Sequence, residues 1–122
     1  MKNRYNENRS MKGVLIMKHI DTEEQFNEII QSDKPVIVKF FADWCPDCKR
    51  MDMFIGDIME EFSNYGWYEI NSDEVKGIAQ KYDVMGIPSI LIFKDGEKLA
   101  HQHSADTKTP DSVSEFLHQQ LA

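Results

Sequence analysis

The sequence predicts an α/β fold in which helices cover both faces of a central mixed β-sheet. Two nearly uninterrupted apolar runs, Val36–Phe41 and residues 89–93, are typical of strands that are covered on both sides. Segments with helical apolar spacing separate the predicted strands. Asp95-Gly96 directly after the second run indicates a hairpin turn. These signals predict the element order βαβαβαββα.

The first half of the chain supplies two strands and two helices. Residues 14–20 are predicted to form the first strand, and Thr22 with Gln25 forms a capping box that opens a helix. A turn at residues 32–35 ends that helix before the buried strand Val36–Phe41. Pro46 suits the first turn of the next helix, because no partner is needed there for its missing N–H. That helix is expected to end near Ser63-Asn64, and it carries apolar residues at helical spacing: Met51, Phe54, Ile55, Ile58 and Phe62.

The second half predicts a strand at residues 67–71 and a short helix at residues 74–82. After the apolar run at 89–93 and its turn, residues 98–103 are predicted to pair back as an antiparallel strand. Thr109 followed by a proline is the expected start of a last helix.

Length and charge limit the classes of protein to consider. The 122 residues fit one domain, which we expect to span residues 13–122 after a polar, disordered leader at residues 1–12. A formal net charge of −7 disfavours nucleic acid and anionic membranes as partners. The apolar run at residues 14–17 is too short for a signal-peptide core. We therefore expect a monomer located in the cytoplasm.

Cys45 and Cys48 are the only cysteines, and they lie three positions apart after a buried strand. They are too few for a disulfide framework or, alone, for a structural zinc site. The start of a helix offers free N–H groups and a positive dipole end, both of which stabilise a thiolate at Cys45. Cys48 can reach back over one helical turn. The pattern predicts a redox pair, and an inert pair of cysteines is the alternative.

Three segments resemble the thioredoxin family: residues 40–49 around Trp44-Cys45-Pro46-Asp47-Cys48, residues 82–89, and residues 93–97. The resemblance extends from about His19 to Ala122. It implies the thioredoxin fold and a protein-disulfide reductase that uses a redox-active disulfide and no other cofactor. It also implies disulfide-bearing proteins as substrates, with thioredoxin reductase as the recharging partner.

The family resemblance further implies where substrates bind. The residue matching Pro88 follows a cis peptide bond in the family, so we expect a cis bond between Ile87 and Pro88. Extended peptide substrates are then expected to dock on a surface formed by Trp44, Pro46, Met85, Gly86, Ile87 and Pro88. For Trp44 and Met85, plain packing in the fold is the alternative.

Lys39 departs from the family pattern. Typical members carry a buried aspartate at this position, with a lysine on the neighbouring strand at the position of Glu69. The two charges are therefore exchanged here. Because a buried lysine requires a partner, we predict that Lys39 pairs with Glu69 and that the pair handles the proton of Cys48. The alternative is that Lys39 extends to solvent and Glu69 is a surface residue.

Two further departures lie at the predicted active site. Asp47 stands between the cysteines, where its negative charge disfavours a nearby thiolate. We therefore expect Asp47→Asn to lower the pKa of Cys45. A glycine of the family's docking surface is replaced around Ser104, which is expected to narrow access for partners.

The sequence is also compatible with three other functions. A non-catalytic thioredoxin-like interaction module is the main alternative, although such modules usually lack one or both cysteines. His101 and His103 share a strand face, and with both cysteines they offer a zinc-like ligand set, although exposed strand histidines are usually only solvated. A disulfide oxidase or isomerase is the third, which a cytoplasmic location disfavours.

Overall fold

The computed structural model describes residues 16–121, and within them it confirms the predicted order of five strands and four helices. The strands are β1 (Lys18–Ile20), β2 (Val36–Phe41), β3 (Gly66–Asn71), β4 (Ser89–Lys94) and β5 (Glu97–Gln102). The helices are α1 (Glu23–Ile29), α2 (Pro46–Glu61), α3 (Lys76–Lys81) and α4 (Pro110–Leu121). A 3-10 turn at Ser104–Asp106 connects β5 to α4.

The sheet is mixed, as predicted, with the strand order β1-β3-β2-β4-β5. Strands β1, β3 and β2 are parallel, whereas β4 is antiparallel to β2 and β5 is antiparallel to β4. The apolar run of β2 therefore lies in the middle of the sheet, where side chains on both faces are buried. The chain leaves this central strand at Phe41 and reaches Cys45 four residues later.

Two apolar clusters lie on opposite faces of the sheet, because successive side chains of a strand alternate between faces. One cluster packs Val36, Val38 and Phe40 of β2 against α1 and α3. The other packs Ile37 of β2 against α2 and α4. This second cluster holds α2 in place through buried Met51, Ile55, Ile58 and Met59. Helices on both faces are thereby confirmed.

The element boundaries differ most from the sequence prediction at three places, and the ends of β3, β4, β5 and α3 differ from it by one further residue each. The first strand begins only at Lys18; residues 1–15, with the predicted leader and the start of the predicted strand, lie outside the described residues. Helix α2 ends at Glu61, because Phe62 leaves helical geometry and its carbonyl oxygen accepts a hydrogen bond from Trp67 Nε1 at 3.1 Å. Helix α3 begins at Lys76, because Asn71 Oδ1 accepts hydrogen bonds from the backbone N–H groups of residues 73 and 74 and forms a turn.

The predicted capping box of α1 is present. Thr22 Oγ1 accepts a hydrogen bond from the backbone N–H of Gln25 at 3.1 Å, and Gln25 Oε1 accepts one from the backbone N–H of Thr22 at 3.2 Å. Two N–H groups that the helix leaves without partners are satisfied in this way.

We expect Thr22→Ala to lower the free energy of unfolding by about 1 kcal/mol, because the N-cap acceptor is lost. Urea unfolding followed by circular dichroism measures this loss. Thr22→Ser keeps the hydroxyl group and serves as the matched control. Equal losses in the two variants would show that the cap does not stabilise the helix.

Candidate active site

Cys45 and Cys48 form a disulfide at the N-terminus of α2, with their Cα atoms 5.3 Å apart. Cys45 is the N-cap residue, and its Sγ accepts a hydrogen bond from the backbone N–H of Cys48 at 3.1 Å. Pro46 occupies the first turn, as predicted. Both cysteines are nearly fully buried. The sulfur of Cys45 therefore takes the place of the usual N-cap oxygen and faces the positive end of the helix.

The loop that precedes β4 lies against this disulfide. The peptide bond between Ile87 and Pro88 is cis, as the family resemblance implies. The carbonyl oxygen of Ile87 lies 3.8 Å from Cys45 Sγ. Ser89 Oγ donates a hydrogen bond to the carbonyl oxygen of Gly86 at 2.6 Å, which fixes the turn of the loop. Backbone groups of this loop are thus available next to the reactive sulfur.

Apolar side chains around the disulfide are exposed. Trp44 is 68% exposed and Met85 is 89% exposed, which disfavours plain packing as the role of either residue. Trp44 is held by a hydrogen bond from its Nε1 to Asp73 Oδ2 at 2.9 Å. Pro46 is exposed as well, whereas Gly86 and Ile87 are partly buried and Pro88 is buried. Exposed apolar groups next to a redox pair suit the docking of another chain.

Ser104 lies directly beside this loop. A Cβ atom added at Gly86 would collide with Ser104 Oγ, so only glycine fits at position 86 without movement of the serine. The serine hydroxyl therefore occupies space next to the predicted docking surface. The family resemblance implies that a glycine of the docking surface is replaced around this residue.

The predicted ion pair between Lys39 and Glu69 is wrong. The two residues are Cα partners on the adjacent strands β2 and β3, yet Lys39 Nζ forms an ion pair with Asp52 Oδ1 on α2 instead. The Lys39 side chain is only 1% exposed, whereas Asp52 is 60% exposed. The long lysine stem crosses from the sheet to the overlying helix, where a carboxylate at the solvent boundary satisfies its charge. The alternative of a solvent-exposed Lys39 is also wrong.

Glu69 belongs to a different group of charges. Its Oε2 lies 3.6 Å from His19 Nδ1, and His19 Nε2 lies 3.5 Å from Asp21 and 3.7 Å from Glu74. His19 on β1 is the partner of Glu69 in the parallel pairing of β1 with β3. The Glu69 carboxylate therefore contacts a residue of the neighbouring strand β1, whereas the Lys39 ammonium group contacts a residue of α2.

Asp47 is held by two cations. Its Oδ2 lies 2.6 Å from Lys108 Nζ, and its Oδ1 lies 3.3 Å from an Arg50 guanidinium nitrogen. The hydrogen bond and charge of Lys108 hold the pKa of Asp47 below its ordinary value, and Arg50 acts in the same direction. The negative charge expected near the sulfurs is therefore largely compensated.

His101 and His103 do not converge on a common point with the cysteines. Their rings stack with centroids 3.8 Å apart, and Lys98 Nζ lies 3.0 Å from His101 Nδ1. Burial lowers the pKa of His101 to about 4, and the charges of Lys98 and His103 act in the same direction. Within residues 16–121 there is no group of three or more His, Cys, Asp or Glu residues suited to a metal ion. The zinc alternative gains no support from this geometry.

Three residues at the site were missed by the sequence analysis. Asp52 had a signal, because it follows Cys48 by four residues and so shares its helix face. Lys108 is 61 positions from Asp47, and Asp73 is 29 positions from Trp44. No local pattern marks these contacts, which arise only when the chain folds.

Comparison with known proteins agrees with this geometry. The sequence matches the Thioredoxin family over residues 17–119. It is 32% identical to mitochondrial thioredoxin-2 of Schizosaccharomyces pombe over 86% of this chain and 81% of that protein. It is 34% identical to thioredoxin-2 of Pyricularia oryzae over 75% of this chain, but the chain spans only 53% of that relative's length.

Solved structures show the same fold. Thioredoxin from Malassezia sympodialis has a TM-score of 0.77 and 27% identity, covering 87% of this chain and 91% of that one. Thioredoxin from Trypanosoma brucei brucei has a TM-score of 0.79 over 98% of this chain and 96% of that one, at 22% identity.

We expect Asp52→Asn to lower the free energy of unfolding by about 1–3 kcal/mol, because Lys39 then lacks a counter-charge. Asp57→Asn removes the same charge from an exposed position of α2 and is the matched control. Urea unfolding of the oxidised proteins measures both effects.

The double variant Lys39→Met/Asp52→Asn tests the cause of this loss. We expect it to recover most of the lost free energy, because an apolar side chain of similar length replaces the buried cation. A double variant as unstable as Asp52→Asn alone would show that the ion pair is not responsible.

Proposed function

The chain belongs to the thioredoxin family of thiol–disulfide oxidoreductases, and on that basis we propose that it reduces disulfides in other proteins. One observation carries the proposal: the Cys45–Cys48 disulfide caps α2 and faces the backbone of the cis-proline loop. A reactive sulfur, a resolving sulfur and a peptide-binding backbone are then within one small region. The disulfide corresponds to the oxidised product of the reaction.

Cys45 is the attacking residue in this proposal. Its thiolate is stabilised by the N–H of Cys48 and by the helix dipole, and it attacks one sulfur of a substrate disulfide. A bond forms between Cys45 Sγ and that sulfur while the substrate S–S bond breaks. The other substrate sulfur leaves as a thiolate and takes a proton from water. The product is a mixed disulfide.

Cys48 completes the reduction. Its thiolate attacks Cys45 Sγ, the mixed disulfide breaks, and the second substrate sulfur leaves as a thiolate that is then protonated. The substrate gains two electrons and two protons, and the protein is left with the Cys45–Cys48 disulfide. The backbone contact between the two cysteines keeps their sulfurs adjacent throughout. A dithiol partner, which we propose is thioredoxin reductase, returns the pair to the reduced state.

We propose that Lys39 and Asp52 handle the proton of Cys48. Asp52 lies one helical turn after Cys48 on the same face of α2, and its partner Lys39 is buried beneath the helix. A buried ammonium group favours the negative thiolate, and the carboxylate is a proton acceptor open to solvent. Asp52 thereby takes the role predicted from the sequence for Glu69, whose carboxylate contacts His19 instead.

The docking surface of the proposal comprises Trp44, Pro46, Met85, Gly86, Ile87 and Pro88. Trp44 and Met85 offer exposed apolar contacts, and the loop backbone at Ile87 suits an extended peptide that passes the sulfur of Cys45. Extended segments of disulfide-bearing proteins are the substrates that fit this arrangement. The serine hydroxyl at position 104 narrows the surface beside Gly86.

The cytoplasm remains our proposed location. Among residues 16–121, every helix is too short or too polar to cross a membrane. Relatives include a mitochondrial thioredoxin and chloroplastic thioredoxins, so family membership alone does not fix the compartment. A reducing compartment suits the proposed direction of the reaction, because it keeps dithiols reduced.

We expect the Cys45–Cys48 pair to have a reduction potential near or below the cytosolic poise of about −220 to −320 mV. Equilibration with glutathione buffers, with a mass measurement of the disulfide, gives this value. A potential near that of an isomerase or oxidant, about −180 to −120 mV, would instead indicate disulfide formation as the activity. The absence of a reversible disulfide would favour the non-catalytic interaction module.

We expect Cys48→Ser to trap a mixed disulfide with a disulfide-bearing protein, because the resolving sulfur is missing. Non-reducing electrophoresis and intact mass reveal the adduct. Cys45→Ser is the matched control and should form little adduct, because Cys48 lies inside α2, whereas Cys45 is the N-cap residue whose sulfur lies next to the cis-proline loop. More adduct with Cys45→Ser than with Cys48→Ser would reverse the two roles.

A further inference from the structure

Lys108 contacts the active-site motif from a distant part of the chain. Its ammonium nitrogen lies 2.6 Å from Oδ2 of Asp47, the residue between the proline and second cysteine of the motif. Lys108 precedes α4 and is half-exposed, whereas Asp47 lies in the first turn of α2. The contact therefore joins the segment before α4 to the first turn of α2 at the edge of the redox site.

The backbone beside Lys108 is fixed to the cis-proline loop. Thr107 is buried, and its hydroxyl donates a hydrogen bond to the carbonyl oxygen of Pro88 at 3.0 Å. The Ile87 carbonyl oxygen in turn lies 3.8 Å from Cys45 Sγ. A continuous series of contacts thus links Cys45 Sγ to the cis-proline loop and that loop to Thr107. The adjacent Lys108 then contacts Asp47 in the active-site motif. Lys108 is thus positioned by the same loop that faces the reactive sulfur.

We propose that Lys108 is a positioning residue for the redox pair, whose ammonium group neutralises Asp47 and thereby keeps Cys45 reactive. The proposal rests on the proposed function, because it assigns a tuning group to the same site. Without Lys108, the carboxylate of Asp47 adds a negative charge in the first turn of α2. That charge opposes the helix dipole and disfavours a thiolate at the N-cap.

We expect the loss of Lys108 to change the reactivity of Cys45 rather than the stability of the fold. An exposed ion pair contributes little to stability, because solvent screens it and both side chains lose freedom. A thiolate at Cys45 responds to the sum of nearby charges, and Asp47 is only two residues from it. Arg50 contacts the other oxygen of Asp47 at 3.3 Å and is retained when Lys108 is replaced, so the loss of Lys108 removes part of the compensation of the Asp47 charge rather than all of it.

We test the proposal with Lys108→Met, Asp47→Asn and the double variant. The readout is the rate at which iodoacetamide alkylates Cys45 of the reduced protein at mildly acidic pH, where the rate follows the thiolate fraction. Lys108→Met should react roughly two- to threefold more slowly than the wild type, and Asp47→Asn should react faster. The double variant should return close to the wild-type rate, because both charges are removed together.

Three observations separate this charge effect from a structural one. The slowing in Lys108→Met should shrink in about 1 M salt, where the screening length falls to about 3 Å. Lys34→Met removes an exposed lysine at the opposite end of β2 and should leave the rate unchanged. The free energy of unfolding of all variants should stay near that of the wild type.

Wild-type reactivity in Lys108→Met would overturn the proposal, and so would slowing that persists undiminished in the double variant. These outcomes are independent of the proposed function. If the wild type reduced no protein disulfide, the proposed function would fail while the order of the alkylation rates could still be measured. If it reduced disulfides normally and the four rates were equal, only the assignment of Lys108 would fail.

Discussion

The hydrogen bond from the backbone N–H of Cys48 to Cys45 Sγ is the interaction on which the site depends. It exists because the central strand β2 ends four residues before Cys45 and Pro46 then starts a helix. The apolar cluster between the sheet, α2 and α4 then fixes the direction of that helix. Core packing thereby sets the position of a sulfur atom, and the helix end supplies its electrostatic environment.

Local signals in the sequence were sufficient for the element order and for the redox pair. Thr22 with Gln25, the proline at position 46 and the Asp95-Gly96 turn each act within a few residues, so their consequences could be predicted. The cis bond at Pro88 required the family resemblance, because most bonds before proline are trans. The ends of α2 and α3 were missed by a few residues, because side chains from neighbouring segments terminate them.

The charged contacts of the site were the least predictable part. The register of β2 and β3 does place Lys39 opposite Glu69, yet the lysine is long enough to reach a helix that covers the sheet. The carboxylates of Glu69 and Asp52 were thus both candidate partners for Lys39, and only the folded structure shows that Asp52 is the partner. Lys108 and Asp47 are brought together by the docking of α4 beside α2, which no pattern within either segment encodes.

The hydrogen bond from Thr107 to the Pro88 carbonyl has a consequence for the evolution of the loop lengths. Surface connections usually accept inserted residues, because few contacts depend on their length. The connection from β5 to α4 is different. Its buried Thr107 supports the loop beside Cys45, and its Ser104 fills the space at Gly86. Insertions should therefore accumulate in other loops of related chains, while this connection keeps a constant number of residues.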